Sequence, residues 1–110
     1  MRKSLVLLPA LVLIAGCAAK VPHGSEVRVT VTDNGFEPQY VTVERGRPAT
    51  LIITRKVEAT CATEAVFAAS GAKFPLPLNQ DVRIPIATAT AETLRYACGM
   101  DMYHGAVVVK

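Results

Sequence analysis

Tryptophan is absent from this 110-residue chain, which holds only three tyrosines, three phenylalanines and two histidines. With so few aromatics and no run of lysine or arginine, the mixed basic and stacking surface of a nucleic-acid binder is not expected. Arg45, Arg47, Arg55 and Lys56 read instead as a loose, solvated positive face. There is no glycine-rich phosphate loop, no His-rich zinc motif and no grouping of Ser, His and carboxylate suggestive of a triad, so no enzyme activity is expected. The main apolar run, Leu5 to Leu13, is too short for the roughly 20 residues that span a bilayer. Internal repeats, low-complexity tracts and long stretches with the 3.6-residue helical period are missing as well.

What is scarce is also concentrated. Of three methionines one is the initiator, and the other two stand together in Cys98-Gly99-Met100-Asp101-Met102-Tyr103-His104-Gly105. Thiolate and thioether are soft, polarizable ligands that favour Cu(I) over harder, oxygen-preferring cations. A second cysteine, Cys61, lies far away in sequence in Cys61-Ala62-Thr63-Glu64, and the third, Cys17, stands near the N-terminus.

Residues 1–16 have the layout of an export signal: Arg2 and Lys3, the apolar run, then small residues before Cys17. Ile14-Ala15-Gly16-Cys17 resembles the lipobox of bacterial lipoproteins, in which the cysteine is acylated and becomes the new N-terminus. An ordinary cleavage site that happens to include a cysteine is the plainer alternative. The lipobox resemblance implies an exported lipoprotein, anchored to a membrane through Cys17 and facing the periplasm or the cell exterior. Loss of Arg2 and Lys3 would lower the net charge from +3 to +1, so part of the basic character belongs to the leader. Residues 17–25, with Pro22, His23 and Gly24 and no hydrophobic periodicity, read as the lipidated cysteine and a tether. Residues 26–110 remain as one modest domain.

Within that domain Glu26 to Thr32 alternates strictly, with Val27, Val29 and Val31 on one face. Asp33-Asn34-Gly35 reads as a turn, Tyr40 to Glu44 as a second strand, and Ala49 to Arg55 as a third. The near-continuous apolar run Leu51-Ile52-Ile53 marks the third as the central core strand. Glu64 to Phe67, Asp81 to Ile86, Thr93 to Ala97 and Ala106 to Val109 complete the set. Phe74-Pro75-Leu76-Pro77-Leu78 should stay out of the sheets and cover one edge as a crossover, because its prolines remove ladder donors. About seven short strands with turn residues between them predict an all-β sandwich with little or no helix.

Tyr96-Ala97-Cys98 followed by Gly105-Ala106-Val107-Val108-Val109 resembles the closing strand-loop-strand of the cupredoxins, whose copper site joins that loop to a ligand further upstream. The resemblance covers Glu26 to Lys110 and implies a cupredoxin-like Greek-key β-sandwich. Blue-copper electron-transfer centres use two histidines and a cysteine with a weak axial methionine. Here His23 falls in the tether, and the upstream position is held by Cys61. Cys-x-x-Glu paired with Cys-Gly-Met-x-Met is similar to the site of membrane-anchored, cupredoxin-fold bacterial Cu(I) chaperones of the CupA type. It also resembles related domains of copper-exporting ATPases. That resemblance implies Cys61 and Cys98 as thiolate ligands, Glu64 as an auxiliary carboxylate, Met100 and Met102 as thioether ligands, and one or two Cu(I) ions per chain. It further implies a monomer that hands its ion to a copper-exporting transporter or a copper enzyme. If the loop is extended, residues 100 and 102 point to the same side and can grip one ion, while Asp101 and Tyr103 point away.

Plainer alternatives remain at each position. Cys61 and Cys98 could form a structural disulfide in a metal-free sandwich, as small exported domains often do. Met100 and Met102 could fill the core, although the adjacent glycine and aspartate favour an exposed loop. Glu64 could be a surface carboxylate or could tune a thiolate, and His104 is expected to face solvent beside the site. Zinc on Cys61, Cys98, Glu64 and His104 is a minor alternative that leaves the methionines without a role.

Overall fold

The computed structural model describes residues 25–110; the expected leader, Cys17 and the tether up to Gly24 lie outside the described residues. Nine strands follow one another: β1 (Ser25–Thr32), β2 (Gly35–Glu37), β3 (Tyr40–Val43), β4 (Ala49–Arg55), β5 (Glu64–Phe67), β6 (Lys73–Pro75), β7 (Asp81–Ile86), β8 (Glu92–Cys98) and β9 (His104–Val109). They form a four-stranded sheet in the order β2-β1-β4-β7 and a five-stranded sheet in the order β3-β9-β8-β5-β6. The pairs β1–β4 and β3–β9 are parallel and the others antiparallel, so both sheets are mixed. Among the described residues there is no helix, as the alternating patterns require.

Alternation along each strand decides what is buried. Val29, Val31, Leu51, Ile53, Tyr96, Val107 and Val109 lie in the core between the sheets. The Tyr96 ring stands edge-on to Phe36, with centroids 4.9 Å apart, and lies tilted against Phe67 at 5.4 Å. The continuity of Leu51-Ile52-Ile53 has a specific cause. Leu51 and Ile53 belong to the core cluster, whereas Ile52 is buried outside it. Its ladder neighbours are Arg28 on β1 and Arg83 on β7. Arg28 reaches Asp81 of β7 at 3.2 Å and Arg83 reaches Glu26 of β1 at 2.9 Å, so both aliphatic stems cross β4 above Ile52.

Two strands were not expected. Gly35–Glu37 is not only a turn: it returns as β2 against β1, with Phe36 opposite Val31. Gly35 takes φ +105°, and the Tyr103 ring packs where a side chain would start, 2.9 Å from an ideal Cβ. Lys73–Pro75 does enter a sheet, as β6 against β5. It is the outermost strand, where a proline at the end costs no interior ladder bond. Phe74 anchors it edge-on to Phe67 at 5.8 Å. Only Leu76 to Leu78 keeps the expected crossover character, and Leu76 is buried beneath it.

Candidate metal centre

Cys98 is the last residue of β8. Its register opposite Ala65 of β5 turns the side chain toward the core, where the residue is 2% exposed. Cys61 approaches from the loop between β4 and β5 and is half-buried. The two Sγ atoms stand 3.3 Å apart and both cysteines are free, so the structural disulfide is not formed here.

Arg55, at the end of β4, holds the Cys61 loop in place. Its Nε donates to the Leu76 carbonyl at 2.7 Å, and Nη1 donates to the carbonyls of Val57 at 3.3 Å and Glu58 at 3.1 Å. The Leu76 N–H donates in turn to the Thr63 carbonyl at 2.8 Å, and the Ala62 N–H to Thr60 Oγ1 at 3.0 Å. The sequence placed Arg55 among solvated cations. Its position at the end of the central apolar strand, ahead of two irregular segments, is the one hint of this bracing role.

The segment after Cys98 is a tight turn and not the extended stretch expected. Asp101 N–H donates to the Cys98 carbonyl at 2.9 Å and Cys98 N–H to the Tyr103 carbonyl at 3.0 Å, while Asp101 takes φ 58°. The chain must reverse within five residues between β8 and β9, which an extended backbone cannot do. The turn wraps the Cys98 sulfur, which accepts N–H bonds from Met102 at 3.2 Å and Tyr103 at 3.3 Å. Met100 and Met102 are 69% and 65% exposed, so neither fills the core. Tyr103 turns inward against Gly35 and donates its hydroxyl to the Asp33 carbonyl at 3.1 Å, tying the turn to the end of β1.

These contacts give the two thiols opposite character. At Cys98 burial opposes the charge. The Tyr103 N–H, the Cys61 side chain and the Met102 and Met100 N–H groups together outweigh it, and its pKa falls below the ordinary 9.0. At Cys61 burial, followed by the hydrogen bond to Cys98 and repulsion from it, raises the pKa above 9.0.

Glu64 alternates with inward-facing Ala65, and its carboxylate stands over Gly99, where Oε1 would lie 2.5 Å from an added Cβ. It lines a cavity of about 250 Å³ with Lys73, Asp101 and Gly99. His104 is exposed, with Nε2 3.0 Å from the Asp101 carbonyl. Among the described residues no three His, Cys, Asp or Glu side chains gather closely enough to hold a metal. The structure therefore joins the two sulfurs and leaves Glu64 and His104 beside them, and the four-ligand zinc set is not assembled. The soft donors left at this end are the two cysteines and the exposed methionines, a set suited to Cu(I).

Comparison with known proteins agrees with this architecture. No curated protein matches the chain. A copper-binding protein solved in its apo form is 30% identical, covering 77% of this chain and 86% of its own, with a TM-score of 0.68. The metal-binding domain of the Cu(I)-exporting P-type ATPase CopA of Streptococcus pneumoniae, solved with Cu(I), shares the fold at 22% identity. That match covers 77% of this chain and 84% of the domain, with a TM-score of 0.68. The reduced auracyanin of Roseiflexus castenholzii shares it at 10% identity, covering 79% of this chain and 98% of its own, with a TM-score of 0.61. Residues 4–109 match the family described as a cupredoxin-like domain, and the chain belongs to that family.

Proposed function

We propose that the chain is a lipid-anchored extracytoplasmic Cu(I)-binding protein that captures copper and passes it on by ligand exchange. The observation that carries this reading is the pair of free sulfurs 3.3 Å apart, at the base of a turn bearing two exposed methionines. Cu(I) is cargo: an entering ion displaces the protons of the two thiols to solvent and is held by Cys61 and Cys98. Met100 and Met102 offer a second, looser pair of donors through which an acceptor's thiol or thioether takes the ion away. Glu64 tunes the surroundings of the turn from its place over Gly99. No bond-forming catalysis is assigned. The acceptor is a copper-exporting ATPase or a copper enzyme, and the fold shared with an ATPase metal-binding domain supports the first. Anchoring through Cys17 would hold the domain at the membrane that contains such a transporter.

The test is an anaerobic titration of the full chain carrying Cys17→Ser, reduced, against a coloured Cu(I) chelator. Withdrawal of one or two ions per chain from the chelator supports a Cu(I) carrier. Failure to compete at any stoichiometry overturns it. Intense visible colour on adding Cu(II) would instead support an electron-transfer centre.

A further inference from the structure

We propose that Cys61 and Cys98 are also a thiol–disulfide exchange site, in which an external disulfide and Cu(I) compete for the same two sulfurs. The exchange itself follows from the metal-free geometry, and only the competition rests on the copper reading. The sulfurs stand 3.3 Å apart, and closing a disulfide needs a movement of about 1 Å. The two cysteines differ in access and in support. Cys98 is buried at the end of a paired strand, the N–H groups of Met102 and Tyr103 are directed at its sulfur, and the Cys61 sulfur lies 3.3 Å away. Cys61 is half-buried and lies on a loop outside the strand ladders. A reagent from solvent therefore meets Cys61 first, and Cys98 is placed to resolve the product.

The chemistry balances without an unnamed reagent. The Cys61 thiol gives its proton to water, and its sulfur attacks one sulfur of an external disulfide RSSR. The RSSR bond breaks, one thiolate leaves and takes up a proton, and Cys61 carries a mixed disulfide. Cys98 then loses its proton and attacks Cys61 Sγ, expelling the second thiolate, which is protonated in turn. The two protein thiols are oxidised by two electrons and the external disulfide is reduced to two RSH molecules. When Cu(I) holds both sulfurs neither can attack; once the disulfide has closed neither can bind the ion. Each state therefore weakens the other.

The experiment treats the reduced, metal-free Cys17→Ser chain with oxidised glutathione and follows the mass of the intact protein. The expected product is the chain less two hydrogens, with no glutathione retained. Adding Cys98→Ser should trap glutathione on Cys61. Adding Cys61→Ser should leave a chain that reacts at least about tenfold more slowly, because its remaining thiol is buried. No closure of the parent chain, or equal rates for the two single-cysteine chains, overturns the exchange site. In the last arm the parent is loaded with Cu(I), loading is verified against the chelator, and glutathione is added. Protection supports the competition, and unchanged closure of a verified loaded chain overturns it. A chain that cannot be loaded fails the copper reading instead, and the metal-free arms still decide the exchange.

Discussion

The turn between β8 and β9 begins and continues in opposite ways. At Cys98 the strand register, burial and two N–H groups fix one sulfur within the fold. Two residues later Met100 and then Met102 project with about two-thirds of their surface exposed. A fixed donor loses little conformational entropy when an ion arrives, whereas an exposed methionine with three rotatable bonds loses more and holds less firmly. On the proposed Cu(I)-carrier reading, the contrast would put capture on the cysteine side and release on the methionine side.

The strongest way to break that comparison is to remove each side in turn. Cys98→Ser should lower Cu(I) affinity by more than the roughly 10- to 100-fold that loss of a supporting partner costs, since a proposed ligand itself is gone. Met100→Leu with Met102→Leu should leave the tight site within a few-fold and keep the melting curve, while slowing transfer to a competing chelator. Competition titrations and stopped-flow transfer would read both effects. Equal losses of affinity in the two variants would erase the distinction between the sides.

Next in size is the wall behind Cys98. Gly105 lies opposite Tyr96, and a Cβ there would overlap the end of the Tyr96 ring. That ring is held between Phe36 and Phe67 and has little room to move. Gly105→Ala should cost about 1–3 kcal/mol in denaturant unfolding, as overpacking of a tight core does. An unchanged midpoint would mean that β9 adapts easily and that the cysteine side is less fixed than its contacts imply.

On the other wall Arg55→Lys keeps the charge but loses the fork that reaches the carbonyls of Leu76, Val57 and Glu58. A loss of about 1–2 kcal/mol is expected. Faster alkylation of Cys61 should accompany it, because the loop carrying that thiol is released. Loss of stability without faster alkylation would confine Arg55 to the fold and remove it from the site.

The strands were legible where alternation ran for four residues or more, as in Val27, Val29 and Val31, because burial on one face imposes that period on the sequence. Gly35–Glu37 and Lys73–Pro75 escaped because three residues are too few to show a period, and glycine and proline signal turns. The scarcity and clustering of Cys and Met pointed to both sides of the proposed site. The shape of the turn was not legible: nothing in Gly99 to Tyr103 announces that two backbone N–H groups fold back onto the Cys98 sulfur. Arg55 was hidden for a similar reason, since its partners are backbone carbonyls, which every residue carries and no sequence distinguishes.

Those N–H groups make a smaller, spectroscopic prediction. In the reduced, metal-free Cys17→Ser chain, thiolate absorbance should rise in two steps, the first proton leaving below pH 9.0 and the second above it. Adding Cys98→Ser should leave a single step. Two coincident steps near 9.0 would show that the turn does not stabilise charge on the sulfur.

The smallest effect is expected far from the turn, on the outer face of the four-stranded sheet, and serves as the control for the rest. Asp81 accepts bonds from Thr54 Oγ1 at 2.5 Å and Arg28 at 3.2 Å, which hold its carboxyl below the usual 3.8. A carboxyl depressed in the folded state adds stability above its unfolded pKa, and that contribution disappears as the pH falls through the folded value. The parent should therefore lose some stability on acidification below about pH 4 that Asp81→Asn has already lost, so the two unfolding midpoints should converge there. Because the carboxylate is solvent-accessible, the difference at neutral pH should be small. Cu(I) affinity should not change. If it did, the arginine straps over Ile52 would be coupled through β4 to the loop that Arg55 braces, and capture would depend on the whole central strand instead of on the turn alone.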